Sequence, residues 1–289
     1  MLRTLLVFVL LAAAGFAEDT PTVAETKKKA EAGDAAAQID LGVWYQYGLF
    51  GPPRDSAEAV KWYRLAAEQG NARGQFNLGY MYFEGEGVQK DNAEAVKWYR
   101  KAAEQGNASA QKNLGNMYDN GAGVPKDNAE AVKWYRLAAE QGNAGGQFNL
   151  GSMYEYGQGV PKDSLEAVKW YRKAADQGDV AGMLFLGLIY SKGEGLPKDY
   201  AEAVKWYRLA ANQGDSTAQH NLGNNYKRGD GVPKNLVQAH VWLNIAAANG
   251  GGEWSKTQLE EVEKEMTYEQ KAEAMKLARE LFAKLPKGK

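Results

Sequence analysis

The chain has 289 residues, 44% hydrophobic and 25% charged, a composition that belongs to a folded protein and excludes a disordered one. Its 35 Lys and Arg nearly cancel its 36 Asp and Glu, so no basic surplus exists to neutralise phosphates, which argues against nucleic acid as a partner. Cysteine is absent, which removes disulfides, thiolate metal sites and thiol nucleophiles together.

The first element is MLRTLLVFVLLAAAGFA, with one arginine, an apolar stretch from Leu5 to Ala14 and small residues ending at Ala17. That stretch is too short to span a bilayer, which takes about 20 apolar residues. The pattern reads as a secretory signal over 1–17, cleaved after Ala17, and predicts export to the periplasm or beyond with no stable membrane anchor left. A retained anchor is the rival reading. Residues 18–33, with AETKKKAEAG at 24–33, read as a polar helix that caps the first of a series of repeats.

From Asp34 the chain is periodic. AEAVKWYR stands at 57–64, 93–100, 129–136 and 201–208, with LEAVKWYR at 165–172, and Trp62, Trp98, Trp134, Trp170, Trp206 and Trp242 recur every 36 residues. Leu-Gly pairs recur in step, from Leu41–Gly42 to Leu222–Gly223. A fixed period of this length marks a stack of repeated units that bury each other's apolar faces. The boundaries are 34–70, 71–106, 107–142, 143–178, 179–214 and 215–250. Each unit predicts two helices. In the second, Ala59, Trp62, Tyr63, Ala66 and Ala67 share one helical face, which makes the six tryptophans structural core residues. Pairs such as Asp55/Glu58 and Asp91/Glu94 predict reciprocal capping boxes at its start, and Gly70, Gly106, Gly142, Gly178 and Gly214 its left-handed end. In the first helix, Leu78, Gly79 and Tyr82 predict a close approach at the glycine with large residues around it. After Gly250 the period stops, and 251–289 reads as a helical C-terminal cap. SKTQ at 255–258 and TYEQ at 267–270 predict capping boxes opening two short helices. Ala272, Met275, Leu277, Ala278, Leu281 and Phe282 predict the apolar stripe of the last.

The unit A-x-x-x-L-G-x-x-Y-x-x-G-x-G-V-x-K-D-x-x-x-A-x-x-W-Y-x-x-A-A-x-x-G resembles the Sel-1-like repeat, a relative of the tetratricopeptide repeat, over residues 34–250. The closing VWLNIAAANG and MTYEQKAEAMKLA are similar to the end of many bacterial members. The resemblance implies an all-α, right-handed solenoid of helix pairs acting as an adaptor or scaffold. Many bacterial members are exported and linked to envelope assembly, signalling or host contact.

Catalytic signals are thin. His220 and His240 lie on different helices of the last repeat, and no serine-base-acid constellation surrounds His220. The Asp-x-x-Glu pairs recur at every helix start and so read as caps, not as a glycosidase carboxylate pair. The loops GEGVQK, GAGVPK, GQGVPK, GEGLPK and GDGVPK are phosphate-loop-like in composition, yet none follows a strand, so they read as turns. The residues predict no catalytic, cofactor or metal site. Some cysteine-rich relatives are connected with penicillin binding or β-lactam hydrolysis, and this chain lacks their cysteines.

Binding is the better prospect. By the resemblance, the first helix of each pair lines a concave groove, and the positions pointing into it vary from repeat to repeat. One patch is Phe76, Tyr80 and Phe83, with Phe148 further on, a set of aromatic anchors for a peptide or else further core. A second is Lys112, Asn116 and Asn149, similar to part of a carboxylate clamp, although Ala181 and Phe185 stand where further basic residues belong. His220 completes the set. The expected function is a non-enzymatic exported scaffold binding a protein or peptide. An envelope enzyme acting on peptidoglycan or a β-lactam through His220, and a passive spacer, are the alternatives.

Overall fold

In the computed structural model, residues 22–50 and 52–286 are described, so the signal expected at 1–17 lies outside the described residues. Those residues form fifteen helices and, among them, no strand. The helices are α1 Val23–Glu31, α2 Ala35–Tyr47, α3 Ser56–Glu68, α4 Ala72–Glu84, α5 Asn92–Glu104, α6 Ala108–Asn120, α7 Asn128–Glu140, α8 Ala144–Tyr156, α9 Ser164–Asp176, α10 Val180–Lys192, α11 Tyr200–Asn212, α12 Ser216–Arg228, α13 Leu236–Ala248, α14 Gly252–Lys264 and α15 Tyr268–Phe282. They fall into two compact units, one up to Pro125 with α1–α6 and one from Lys126 with α7–α15. Each is all-α and solenoidal, an array of helix pairs with first helices α2, α4, α6, α8, α10 and α12.

Packing within a pair is set by one contact. At Gly42, Gly79, Gly151 and Gly187 the glycine of the Leu-Gly pair faces the ring of the tyrosine in KWYR. A methyl group on Gly79 would stand 2.8 Å from Tyr99 Cδ1, one on Gly151 2.8 Å from Tyr171 Cδ1, and one on Gly187 2.5 Å from Tyr207. Only the absent side chain lets the two helices close to this distance. The tyrosines are interior as a result: Tyr63, Tyr99, Tyr135, Tyr171 and Tyr207 are 0–2% exposed.

The tryptophans behave differently from expectation. Trp62, Trp98, Trp134 and Trp170 are half-buried, and only Trp206 and Trp242 of the six are buried. Each sits one position round the helix from the tyrosine, at the edge of the core face, where Lys101 covers the Trp98 ring at 4.2 Å and Lys173 covers Trp170 at 4.0 Å. The reciprocal capping box is also only half made. Asp55, Asp91, Asp127, Asp163 and Asp199 accept from the glutamate N–H as expected. The aspartate's own N–H is taken by the preceding helix, as in Asp91 N to Tyr82 O at 3.0 Å and Asp199 N to Tyr190 O at 2.9 Å. The glutamate therefore turns to the lysine three residues on, Glu94 to Lys97 at 2.8 Å, and Glu130 and Glu202 also accept from Trp134 and Trp206.

Two polar links join successive pairs. A buried glutamine on the first helix donates to the end of the preceding second helix, Gln75 Nε2 to Ala67 O at 3.2 Å and Gln147 Nε2 to Ala139 O at 3.1 Å. The glutamine that ends the same repeat's second helix donates to it, Gln105 to Gln75 and Gln177 to Gln147, both at 2.7 Å. Arginines of KWYR donate forward to the next first-helix tyrosine, Arg64 to Tyr82 at 2.8 Å and Arg172 to Tyr190 at 2.6 Å. The loop glycines are structural: a methyl on Gly87 would overlap the carbonyl oxygen of Ser56, and one on Gly231 that of Tyr200. These loops thus lie flat on the start of the preceding repeat's second helix, with no room for a phosphate.

The ends are capped by helices. α1 opens with a full capping box, Thr22/Glu25, and α15 with the expected one, Thr267/Gln270. SKTQ opens no helix. Ser255 lies within α14 and is fully buried. On α15 the face turned to α13 carries Ala274, Leu277, Ala278 and Leu281, while Ala272, Met275 and Phe282 of the expected stripe are exposed.

Burial ranks the octapeptide's side chains. Tyr99→Ala is expected to cost about 3–5 kcal/mol and Trp98→Ala roughly half that or less. Urea denaturation of the two variants checks it, and a tryptophan cost equal to or above the tyrosine cost would refute the ranking.

Candidate functional site

In the first unit, α2, α4 and α6 bring their variable residues to one cleft of about 710 Å³. Phe76, Tyr80 and Phe83 come from α4, and Lys112 and Asn116 from α6, so these five sequence-predicted residues do meet. Their depth differs. Phe76 is buried, with its ring 6.0 Å from that of Tyr99, so it serves the core as well as the cleft wall. Tyr80 and Phe83 are half-buried, and Lys90 lies 5.3 Å over the Phe83 ring. Asn77, Asn113 and Asn120 add amide groups.

Lys112 is the unusual member. It is half-buried and forms no ion pair or hydrogen bond among the described residues, whereas Lys61, Lys97, Lys133, Lys169 and Lys205 each hold a glutamate. Burial lowers its pKa from the usual 10.5, because the charged form loses water and gains no anion. A carboxylate placed against it would recover that loss. Glu84, the other ionic residue of the lining, is exposed.

Phe148 and Asn149 belong to the second unit, on α8. Phe148 is half-buried and packed, its ring 5.5 Å from Tyr171 and 5.4 Å edge-on to Phe185, so it is a core contact there and not an open anchor. Asn149 is half-buried and engaged in interactions.

His220 does not face an open groove, which corrects the expectation for it. It is 1% exposed. Trp254 of α14 stacks on its ring at 3.4 Å, Ser255 Oγ lies 3.0 Å from Nδ1, and Asn224 Nδ2 lies 2.7 Å from Nε2. With Asn224 donating to Nε2, the proton sits on Nδ1 and is donated to Ser255. Burial pushes its pKa down to about 4. The serine is closed off beneath the helix and has no access to a substrate. His240 is likewise fully buried, its Nε2 3.0 Å from Glu263 of α14. Among the described residues no group of three His, Asp or Glu could hold a metal ion, and no helix is long and apolar enough to cross a membrane.

Sequence reasoning missed the partners of His220, because it ended the period at Gly250, whereas α14 follows α12 by 36 residues and packs where a next first helix would. It also missed the glutamine at Gln38, Gln75, Gln111, Gln147 and Gln219, three positions before Leu-Gly. Its recurrence was the available signal.

The Sel1 repeat matches at residues 35–71, 72–107, 108–143, 144–179, 180–215 and 216–251. The chain belongs to the Sel1-repeat family. These repeats begin on the first helical residue, one after the capping Asp34, Asn71, Asn107, Asn143, Asp179 and Asp215. A Sel1 repeat protein from Oxalobacter formigenes is similar in structure, 41% identical, covering 74% of this chain and 85% of that one with a TM-score of 0.68. The protective antigen c5321 of uropathogenic Escherichia coli, with an SLR fold, is 30% identical over 91% of this chain and 79% of that one, TM-score 0.49. A plant protein, the ERAD-associated E3 ubiquitin-protein ligase component HRD3B of Arabidopsis thaliana, is 41% identical over 61 residues, 21% of this chain and 10% of its own length. Sel1-repeat proteins act as protein-interaction scaffolds.

His220 is expected to make this Sel1 array acid-sensitive at its C-terminal end. Its folded pKa of about 4 lies below the ordinary 6.5, so the unfolded chain binds the proton first as pH falls. The stability tied to neutral His220 is complete above pH 6.5 and lost towards pH 4, on the order of 2–3 kcal/mol. His220→Gln is expected to flatten that part of the curve in melting experiments between pH 7 and 4.5. An unchanged slope would remove His220 as the cause.

Proposed function

We propose that the protein is a non-enzymatic scaffold that holds a protein or peptide partner on the first-helix face of its first unit. The observation that carries this reading is the cleft itself, in which the half-buried rings of Tyr80 and Phe83 stand with Lys112, a cation that has no ion pair or hydrogen bond among the described residues. Half-buried aromatic rings beside a desolvated cation supply both the apolar anchor and the specificity of a protein contact. Equivalent structural positions in the repeats are copied almost letter for letter, whereas the lining positions are not. No observation favours an enzyme at His220, which lies sealed under Trp254 and Ser255.

The test is crosslinked capture from an envelope extract with the wild-type chain beside Tyr80→Ala/Phe83→Ala, chosen because both side chains are half-buried and spare the core. A partner held by the wild type and reduced at least about tenfold by the double variant is expected. Equal capture by both would move the binding surface elsewhere on the chain.

Export is part of the same proposal, resting on the apolar segment from Leu5 to Ala14 and the small residues up to Ala17. N-terminal sequencing of protein recovered from cells is expected to begin at Glu18. A chain that retains Met1 would refute cleavage.

A further inference from the structure

One carboxyl group of the second unit lies in the interior. Glu155, in the last turn of α8, is 5% exposed, and its Oε2 has no hydrogen-bond donor among the described residues. The group it meets is another carboxyl. Glu194, in the turn after α10, stands within hydrogen-bonding reach of it. Glu194 is itself exposed and keeps Lys192 at 3.6 Å. Two carboxylates so placed would repel, and the buried one would also have lost its hydration.

The first unit holds a neutral form of the same contact. Gln46 on α2 occupies the repeat position of Glu155, and Glu86, in the turn after α4, that of Glu194. Gln46 is also 5% exposed. Its Nε2 donates to Glu86 Oε2 at 3.3 Å, and its Oε1 accepts from Tyr63 at 2.8 Å. An amide and a protonated carboxyl have the same planar shape, and each has a donor to offer the turn. In the other repeats the position holds Phe83, Asp119, Ser191 and Lys227, none of them buried. A side chain buried here thus donates to the turn of the next repeat, and a glutamate can do so only with its proton on.

We propose that Glu155 and Glu194 share one proton, Glu155 as the acid and Glu194 as the carboxylate that accepts from it. This bond fastens α8 to the turn of the following repeat only while the proton is held. A carboxylic acid donating to a carboxylate is a charge-assisted bond, stronger than the amide bond of Gln46. The groups that face Glu155 are Glu194, Lys162 from the turn after α8, Lys192 at the end of α10 and the buried Tyr171 hydroxyl of α9. Both lysines are exposed, so water damps their pull on the proton. Burial, joined by Glu194, outweighs them and holds the Glu155 pKa above its ordinary 4.5. The stability from this bond is therefore complete below pH 4.5 and lost as pH rises through the folded value. That sign is opposite to the one for His220, so the second unit carries one joint weakened by acid and another weakened by base.

The full chain is melted between pH 4 and pH 8 beside Glu155→Gln and Glu194→Gln, with a chelator present. Glu155→Gln installs the side chain that Gln46 already has, so the fold is expected to persist. This variant is expected to match the wild type at pH 4 and to melt about 2 °C or more above it at pH 8. Glu194→Gln removes the second charge and is expected to shift the same way at pH 8. His220 titrates in all three proteins and cancels in the difference. An infrared difference spectrum at pH 5.5, where ordinary glutamates are ionised, is expected to show a protonated-carboxyl stretch in the wild type that Glu155→Gln lacks. Parallel melting curves, a Glu155→Gln variant less stable at pH 8, or no such stretch would each overturn the proposal. A gain for Glu155→Gln with none for Glu194→Gln would also overturn it, reducing Glu155 to a buried acid that shares nothing. So would added Ca²⁺ that stabilises the wild type at pH 8 and not Glu155→Gln, since a cation would then bridge the pair.

Discussion

The whole array depends on a glycine facing a tyrosine. With the ring of Tyr99 where a methyl group on Gly79 would be, the two helices of the pair sit as close as their backbones allow. That distance fixes where every other side chain of the pair can reach. It brings the tyrosine hydroxyl to the far side of the first helix, where Tyr63 donates to Gln46 at 2.8 Å and Tyr207 shares a bond of 3.0 Å with Ser191. Burial raises the pKa of Tyr63, Tyr99 and Tyr171 and pushes Tyr207 up to about 12, so these hydroxyls stay neutral. In the last repeat Leu243 takes the tyrosine's place against Gly223, and the layer that would hold a hydroxyl is apolar instead.

Once pairs are fixed, polar side chains set the step between them. An apolar interface alone would tolerate sliding, since dispersion and burial are weakly directional. The glutamine chain and the arginine–tyrosine bonds are directional, and each spans two repeats. Where one is replaced, the step survives on the others: Met183 stands at the glutamine position of its repeat, and Gln213 reaches its sulfur at 3.5 Å while Arg208 holds Tyr226 at 2.7 Å. Redundancy of this kind leaves the cleft positions free to vary, because none of them carries the geometry of the stack.

Much of this was legible in the letters. The 36-residue period, the two helices per unit, the left-handed closing glycines and the family all follow from residues that recur because each repeat meets nearly the same neighbours. The errors came where local pattern and tertiary contact compete. Asp-x-x-Glu matches a capping box, but the aspartate N–H finds a carbonyl of the previous helix first. Tryptophan is the larger side chain, yet tyrosine lies opposite the glycine and takes the interior. SKTQ matches a helix start, but Gly252 lets α14 begin earlier and carries Ser255 onto His220. The cleft was visible as a set of non-repeating positions, and five of the residues named from them line it. His220 was misjudged because the period was read as ending at Gly250, whereas α14, 36 residues after α12, covers it in the place of a next first helix.

That covering helix also explains why the two units differ. A stack of repeats exposes an apolar face at its last pair, and something must close it. Here α15 and one side of α14 close α13, through Val262, Ala274 and Ala278. The rest of α14 then lies across α12, and the residues it meets have changed to suit: a histidine that stays neutral, and a lysine paired to Glu261. An amphipathic terminal helix has two neighbours to satisfy, so closing the core and filling the variable face are one event at this end of the chain.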